Sequence, residues 1–216
     1  MLLESLLKES CVFLAAQLKA VLFTHQIFWD LYNVLILMTD RTHATCVVVM
    51  AGLPGTGKST LSKLLSGELR GVVLDKDVIR AGLFPEPWID YSQEQDDFCM
   101  QVLLQAATYL IRKTSPPFLF IDGRPFAFQY QIDFVMKWAA DLECPAKIIH
   151  TACSDDNARQ RLTGEHPARN RNYDFYLKLK ASFEEIRYPK LVLNTDEPLA
   201  SSLQRCLAYL CDQRVE

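Results

Sequence analysis

The sequence predicts an α/β fold of three layers, in which a five-stranded parallel sheet lies between two layers of helices. From residue 45 onward, short apolar runs rich in Val, Ile and Leu alternate with longer segments of helical spacing. A glycine-rich turn at 52–59 connects the first apolar run with the first helical segment. Folds of this kind bind ligands at the carboxyl ends of the strands, so the residues that follow the strands are the candidates for chemistry.

The same alternation assigns the elements in order. The strands are expected at 45–51, 71–75, 118–122, 146–151 and 190–194. The helices are expected at 59–65, at 77–82, from Ser92 to just before Pro116, at 128–140, after Ser154, at 173–187 and at 198–211. Ser92 and Ser154 are predicted N-caps, because a serine hydroxyl can accept a hydrogen bond from a free N–H group of the first turn. In the long helix, the stripe expected to face a core is Phe98, Val102, Leu103, Ala106, Tyr109 and Leu110.

Composition places the chain among globular proteins and excludes several functions. Half of its 216 residues are apolar, which is enough for a domain with a substantial core. The net charge of −3 argues against a broad surface for duplex nucleic acid. The seven cysteines include no C-x-x-C pair, and the four histidines show no metal-ligand spacing. We therefore expect reduced thiols in a cytoplasmic protein, without a disulfide framework or a zinc site.

Residues 1–37 differ in character from the rest of the chain. They are rich in Leu, Phe, Val and Ile, yet no uncharged run reaches the roughly 18 residues of a membrane-spanning helix. We expect an apolar helical N-terminal extension at 1–37 and a second domain at 38–216. Three interpretations of the extension remain: helices packed on the domain, an arm that binds a membrane surface or a partner, or a segment that the domain does not need.

The turn at 52–59 reads Gly-Leu-Pro-Gly-Thr-Gly-Lys-Ser and matches the phosphate-binding pattern G-x-x-x-x-G-K-[ST] in full. Its glycines allow backbone N–H groups to turn toward phosphate oxygens, and the following helix presents its partly positive N-terminus. Lys58 is expected on the β- and γ-phosphates of ATP, Ser59 on Mg²⁺, and Thr60 near the α-phosphate. The residues predicted to bind ATP are Gly52, Pro54, Gly55, Thr56, Gly57, Lys58, Ser59 and Thr60.

Carboxylates follow two further predicted strands. Asp122 ends the third strand and is predicted to hold Mg²⁺ or its water, with a solvated turn aspartate before Gly123 as the alternative. Asp77 follows the second strand, with Arg80 one helical turn later. A kinase needs such a pair, because a base must accept the proton of the acceptor hydroxyl and a cation must hold an anion. The alternatives are a helix-capping Asp77 that pairs with Arg80 on the surface, and Asp75 as the functional carboxylate.

A local excess of positive charge follows later in the chain, formed by Arg159, Arg161, Arg169 and Arg171 together with His166. A mobile basic loop can close over phosphates and stabilise the transferred group. Arg159 is the predicted catalytic arginine, although spacing does not separate it from the other three. The alternative is an ordinary solvated helix end and loop.

These motifs resemble those of the small P-loop kinases, over about residues 45–195. That group includes polynucleotide 5′-hydroxyl kinases, adenylylsulfate kinases and zeta-toxin-like sugar-nucleotide kinases, often described as AAA-type ATP-binding kinases. The resemblance implies a three-layer P-loop NTPase fold, ATP with Mg²⁺ as the phosphoryl donor, and an arginine lid. It also implies Asp77 as the base and Arg80 as a substrate or phosphate contact. The chain carries Asp75-Lys76-Asp77 where adenylylsulfate kinases have Asp-Gly-Asp.

The leading hypothesis is therefore an ATP-dependent kinase that transfers the γ-phosphoryl group to a hydroxyl of a small molecule or nucleotide. The alternative is a nucleotide-dependent regulatory ATPase or switch, in which residues 1–37 bind a partner or a membrane. A switch GTPase is disfavoured because the sequence has no Asn-Lys-x-Asp motif. The acceptor is expected to contact Trp88, Asp90, Tyr91 and Asp97, in the loop 83–91 and at the start of the long helix.

Overall fold

The computed structural model describes residues 44–163 and 172–212, which belong to one compact unit. The predicted extension at 1–37 and its boundary with the second domain lie outside the described residues and stay predictions. Arg169 and Arg171 of the predicted lid also lie outside them.

Within the described residues, the strands that form the sheet are β1 (Cys46–Ala51), β2 (Val72–Asp75), β3 (Phe118–Asp122), β4 (Ala146–Ala152) and β5 (Leu191–Asn194). Their spatial order is β2-β3-β1-β4-β5, and every neighbouring pair is parallel. β1 lies in the centre with residues 47–51 fully buried, as expected for a strand covered on both faces. The predicted five-stranded α/β fold is confirmed, with each strand end within one residue of its expected position.

The described helices are α1 (Lys58–Glu68), α2 (Lys76–Leu83), α3 (Gln93–Thr114), α4 (Gln129–Asp141), α5 (Asp155–Leu162), α6 (Tyr173–Ala181) and α7 (Leu199–Cys211). A 3₁₀ turn at Glu86–Trp88 lies between α2 and α3. Both predicted serine caps are confirmed: the Ser92 hydroxyl accepts the N–H of Gln95 at 3.1 Å, and the Ser154 hydroxyl accepts that of Asn157 at 3.4 Å. None of these helices is both long enough and apolar enough to cross a membrane.

The two faces of the sheet carry separate cores. Val47, Val49 and Ala51 of β1 belong to the core that includes α3 and α4. Val48 and Met50 belong to the opposite core, which includes α1 and α7. The alternation follows the two-residue period of a strand and produces the three layers that the sequence predicts.

The buried face of α3 differs from the predicted stripe. Of the six stripe residues only Leu103 is buried, whereas Phe98 is 49% and Tyr109 is 63% exposed. The residues that α3 buries are Cys99, Met100, Leu103, Leu104 and Ala107. Phe98, Val102 and Ala106 each come one residue before a buried position, so the predicted stripe is rotated by about one residue from the buried face. Both faces have helical spacing, and the prediction chose the wrong one of the two.

The end of α6 also differs from the prediction, which extended this helix to Arg187. The helix ends at Ala181, and the next residues run across the start of α4. The backbone N–H of Glu184 donates to the carbonyl oxygen of Ala127 at 2.8 Å instead of to a helical partner. Ile186 is 3% exposed and belongs to the core of α3 and α4. The chain leaves the helical path at Ala181 because the extended path along the start of α4 buries Ile186 in this core.

Candidate active site

The glycine-rich turn joins β1 to α1 in a conformation that requires glycine. Gly52, Gly55 and Gly57 have positive φ angles of 136°, 78° and 87°. A Cβ atom at Gly52 would lie 2.7 Å from the hydroxyl oxygen of Thr151 on β4, which is too close for a carbon atom. The turn therefore approaches β4 at a distance that only glycine permits, and its N–H groups lie at the start of α1.

Lys58 is held across this turn. Its side chain is 7% exposed, and its amine donates to the carbonyl oxygens of Gly52 at 2.7 Å and Leu53 at 2.8 Å. These bonds fix a buried cation beside the backbone that is predicted to bind phosphates. Thr56 supports the same turn, since its hydroxyl donates to Leu53 at 2.7 Å and lies 2.8 Å from the hydroxyl of Thr151.

Arg159 and Arg161 have different surroundings, which residue spacing alone could not show. Arg161 donates to the carbonyl oxygen of Gly55 at 3.3 Å and to that of Thr195 at 2.8 Å, so it links the glycine-rich turn to the end of β5. The guanidinium of Arg159 lies 5.2 Å from the ring centroid of Tyr173 on α6. Arg161 thus contacts the predicted phosphate site through the backbone, whereas Arg159 lies over the ring of Tyr173.

Asp122 lies at the end of β3 and is almost fully buried, with 1% exposure. Its carboxylate accepts the hydroxyl of Ser62 on α1 at 2.8 Å and the N–H of Gly123 at 2.7 Å. The alternative of a solvated turn aspartate is therefore excluded. Ser59 is half-buried one turn before Ser62 on the same helix. A hydroxyl and a carboxylate are the oxygen ligands that Mg²⁺ prefers, so these residues fit that ion.

Asp77 and Arg80 form part of a buried network of charges at the start of α2. The Asp75 side chain caps this helix by accepting the N–H of Asp77 at 2.8 Å. The Asp77 carboxylate pairs with Arg80 at 2.8 Å and with Lys76 at 3.1 Å. Lys76 and Arg80 also pair with Asp96 of α3, and each of the two cations is only 3% exposed. The alternative of a pair on the surface is therefore excluded, and the capping role belongs to Asp75.

A small cavity of about 40 Å³ connects these charges with the glycine-rich turn. The predicted residues Lys58, Asp77 and Arg80 all line it. So do Lys76, Asp96 and Arg124, which the sequence did not single out, together with Pro54, Gly123, Pro125 and Phe175. The two halves that the sequence predicted separately, a donor site and an acceptor site, thus meet in one place. A lysine where adenylylsulfate kinases have glycine was the one sequence signal for Lys76.

The four residues expected to contact the acceptor have different surroundings. The Tyr91 ring lies 5.1 Å from the Arg80 guanidinium, and Asp97 pairs with Arg124 at 2.5 Å. Asp90 accepts the N–H of Ser92 at 2.8 Å, and Trp88 is 74% exposed. Tyr91 and Asp97 therefore contact the charged network, whereas Asp90 shapes the turn before α3.

The amino-acid sequence matches the family model for an AAA domain over residues 47–184. This match covers more than half of the chain. The chain belongs to the AAA domain family. A search of curated proteins found no significant match.

Solved structures with the fold of this AAA domain include several small kinases. The APS kinase CysC of Mycobacterium tuberculosis, solved with AMPPNP and APS, is 19% identical, with a TM-score of 0.60 over 78% of this chain and 98% of that chain. A gluconokinase from Sinorhizobium meliloti is 14% identical, with a TM-score of 0.57 over 78% and 93%. Chaetomium thermophilum Kti12, solved with ADP-AlF3, is 18% identical, with a TM-score of 0.57 over 79% and 100%. The predicted resemblance to small P-loop kinases is confirmed for the family and the fold.

Burial lowers the pKa of Lys76 in the AAA domain from 10.5 to about 8, although the nearby Asp77 acts in the opposite direction. Between these two pH values the unfolded chain binds more protons at this lysine than the folded chain. The lysine therefore raises the free energy of unfolding as the pH rises through this window. As the pH rises from about 8 to 10.5, we expect the free energy of unfolding of the wild type to increase by on the order of 2–3 kcal/mol relative to that of Lys76→Met. Denaturant unfolding at several pH values in this range measures the free energy of unfolding of both proteins. If this free energy changes with pH in the same way in both, the lowered pKa of Lys76 is contradicted.

Gly123 joins Asp122 to Arg124 with a φ of 82°. A Cβ atom here would lie 2.6 Å from the backbone nitrogen of Lys76 and would collide with the side chain of Asp75. Because the left-handed conformation and the collision both oppose a side chain, we expect Gly123→Ala to lower the free energy of unfolding by at least about 2 kcal/mol. Denaturant unfolding measures this loss.

The matched control for this substitution is Gly67→Ala. Gly67 is the last-but-one residue of α1, and a Cβ atom there would have no neighbour within 4 Å. Alanine should leave the stability unchanged or raise it by up to about 0.5 kcal/mol, because glycine is less favourable than alanine in a helix. Equal effects of the two substitutions would mean that the β3 turn tolerates a side chain.

Proposed function

We propose that this protein is an ATP-dependent kinase that transfers the γ-phosphoryl group of ATP to a hydroxyl of a small molecule or nucleotide. The observation that carries the proposal is the cavity that Lys58 of the glycine-rich turn shares with Asp77 and Arg80. A nucleotide switch requires only the glycine-rich turn with Lys58. Asp77 and Arg80 supply a base and a cation at the place where an acceptor would meet the terminal phosphate of ATP.

On this proposal, residues 52–60 hold ATP. The N–H groups of the turn and the N-terminus of α1 bind the phosphate oxygens, and Lys58 offsets the charge of the β- and γ-phosphates. Ser59 and Asp122 would hold Mg²⁺, which neutralises phosphate charge when it is bound. Lys58 is already fixed by its bonds to Gly52 and Leu53, so little ordering of this side chain would be needed.

Asp77 is the proposed base. Its carboxylate would accept the proton of the acceptor hydroxyl as the oxygen of that hydroxyl attacks the γ-phosphorus. The bond from the γ-phosphorus to the bridging oxygen of the β-phosphate would break, and ADP would leave. Arg80 pairs with this carboxylate at 2.8 Å and fixes its orientation. Lys76 and Arg80 would also attract an anionic group of the acceptor, since both are buried cations in the same cavity.

The arginines near α5 have distinct proposed roles. Arg159 is the proposed catalytic arginine, which would leave the ring of Tyr173 to reach a phosphate. Arg161 would hold the phosphate-binding turn in place through the carbonyl of Gly55. We also propose that the protein works in the cytoplasm, since the described cysteines are free thiols.

ATP turnover, measured with and without a panel of hydroxyl-bearing acceptors, tests this function. The panel should contain nucleosides, nucleotides, sugar acids and 5′-hydroxyl oligonucleotides. We expect at least one of these acceptors to raise ADP release well above the rate with water and to gain a phosphoryl group. If every acceptor leaves turnover at the water rate, the kinase proposal is wrong and a nucleotide-dependent switch becomes the better explanation.

A protein that begins at Met38 distinguishes the kinase from the switch further. Under the kinase proposal it should keep the ATP affinity and the transfer rate of the full chain, because the described site lies entirely after residue 44. Under the alternative, residues 1–37 bind a partner or a membrane, so the truncation would abolish that binding. A vesicle co-sedimentation assay with and without ATP provides the second measurement.

A further inference from the structure

A second, larger cavity lies between α3 and α4, with a volume of about 390 Å³. This volume is in the range of cavities that bind small molecules. The side chains that matter here are Asp97 and Gln101 of α3, Arg124 of the β3–α4 turn, and Tyr130, Gln131 and Phe134 of α4. None of the residues on which the proposed phosphoryl transfer depends lies in this cavity. Its chemistry therefore has to be explained separately.

Arg124 connects the two cavities, because it lines both of them. Its guanidinium is 3% exposed and donates to Asp97 at 2.5 Å and to the hydroxyl of Tyr130 at 3.2 Å. Its Nε atom is buried and has no hydrogen-bond partner among the described residues. A buried donor of this kind normally has an acceptor, so Arg124 has capacity for an anionic group of a ligand.

The α4 side of the cavity presents two aromatic rings. Tyr130 and Phe134 lie one turn apart on the same face of α4, and they are 45% and 44% exposed. The Tyr130 hydroxyl is held by Arg124, by Gln93 and by Gln131, so the ring is fixed in position. Aromatic side chains that are fixed and exposed in a cavity favour a ligand with a flat ring of its own.

The polar groups of the cavity suit the edge of such a ring. Gln101 is exposed on α3, and its amide offers both a donor and an acceptor. Asp97 adds a carboxylate on the same helix face, four residues before Gln101. Proteins bind nucleobases by this combination, in which an aromatic side chain stacks on the base and amide or carboxylate groups bind its edge.

We propose that the cavity between α3 and α4 binds the base of a nucleotide acceptor, and that Arg124 binds the phosphate of that nucleotide. The inference rests on the proposed function for the reacting end of the acceptor, which would extend from Arg124 toward Asp77. The cavity itself is a nucleotide site whether or not transfer occurs. A sugar acid, or any other acceptor without a flat aromatic ring, would have no group to stack on Tyr130 and Phe134 and no base edge for Gln101 to bind.

Isothermal titration calorimetry on the full chain tests this site directly. Saturating AMPPNP first occupies the ATP site, so that a second nucleotide reports on the acceptor site. The probes are the adenosine, guanosine, cytidine and uridine 5′-monophosphates. The four corresponding nucleosides lack the phosphate, and ribose 5-phosphate lacks the base. We expect at least one monophosphate to bind about tenfold or more tightly than the corresponding nucleoside and ribose 5-phosphate. Failure of all four monophosphates to bind would overturn the proposal.

Phe134→Ala identifies the cavity as the place of binding. Loss of a stacking ring should weaken the bound monophosphate about tenfold and leave the affinity for ribose 5-phosphate unchanged. Tyr109→Ala is the matched control, because Tyr109 is an exposed aromatic residue farther along α3 and does not line the cavity. An unchanged monophosphate affinity in Phe134→Ala would overturn the proposal.

The outcomes separate this inference from the proposed function. Monophosphate binding that depends on Phe134, without any transfer from ATP, would support the cavity and contradict the kinase. Transfer to an acceptor without a ring, at a rate that Phe134→Ala does not change, would support the kinase and overturn the nucleotide site.

Discussion

Replacement of Lys58 by Ala is expected to lower kcat for phosphoryl transfer by about 10²–10³-fold. Lys58 is a buried cation that two carbonyl groups hold beside the predicted phosphate-binding turn. The negative charge of the transferred group would lose a fixed partner in a site with little water. The affinity for ATP should also fall, because the same amine is proposed to bind the β- and γ-phosphates before the reaction. Single-turnover kinetics with radiolabelled ATP and a binding titration measure the two effects.

Lys63→Ala is the control for the Lys58 substitution. Lys63 lies on the same helix, but it is exposed and does not line the cavity. Its removal should change neither kcat nor ATP affinity. The melting temperature must be measured for both variants, because Lys58 also makes hydrogen bonds within the turn. A folded Lys58→Ala protein with the transfer rate of the wild type would contradict a phosphate site at 52–59.

The sequence predicted the parts of the fold that depend on local patterns. β3 is a continuous apolar run that ends in Asp122. Its bounds were predicted to the residue because Pro116 and Pro117 precede the run and a charged residue ends it. The turn at 52–59 was predicted because only glycine adopts its positive φ angles without strain. In both places the residue type is determined by the backbone at that position.

The sequence did not predict features that depend on distant partners. Lys76 pairs with Asp96, and Arg124 pairs with Asp97, across 20 and 27 residues of the chain. No spacing rule connects such residues, because the packing of α2 and of the β3 turn against α3 brings them together. The prediction of the buried face of α3 was wrong for a similar reason, because the position of the sheet determines which side of the helix is buried. The chemical role of single positions was therefore predictable, whereas the ion pairs between distant residues that hold these side chains in place were not.

Asp77→Asn is expected to lower kcat for phosphoryl transfer by about 10²–10⁴-fold with little change in ATP affinity. An amide cannot accept the proton of the acceptor hydroxyl, although its oxygen can still accept a hydrogen bond from Arg80. Asp77 makes no predicted contact with the phosphates of ATP, so binding of the donor should persist. Acceptor-dependent ADP release and ATP titration measure the two quantities. Asp141→Asn is the control, since Asp141 is an exposed carboxylate that pairs with Lys137 on α4.

Asp75 provides the decisive comparison for the role of Asp77, because it is the nearest competing carboxylate. The Asp75 side chain accepts the N–H of Asp77 at the start of α2, so Asp75→Asn should mainly lower the stability, by about 1 kcal/mol or less. If Asp77 is the base, Asp77→Asn loses transfer and Asp75→Asn keeps it. Asp77→Asn should also lower the stability, because it removes an anionic partner of the buried cations Lys76 and Arg80, so transfer is compared at a temperature at which both variants are folded. If Asp75→Asn abolishes transfer while Asp77→Asn keeps it, the base is Asp75. The charges of Lys76 and Arg80 would then serve to fix the helix that positions it.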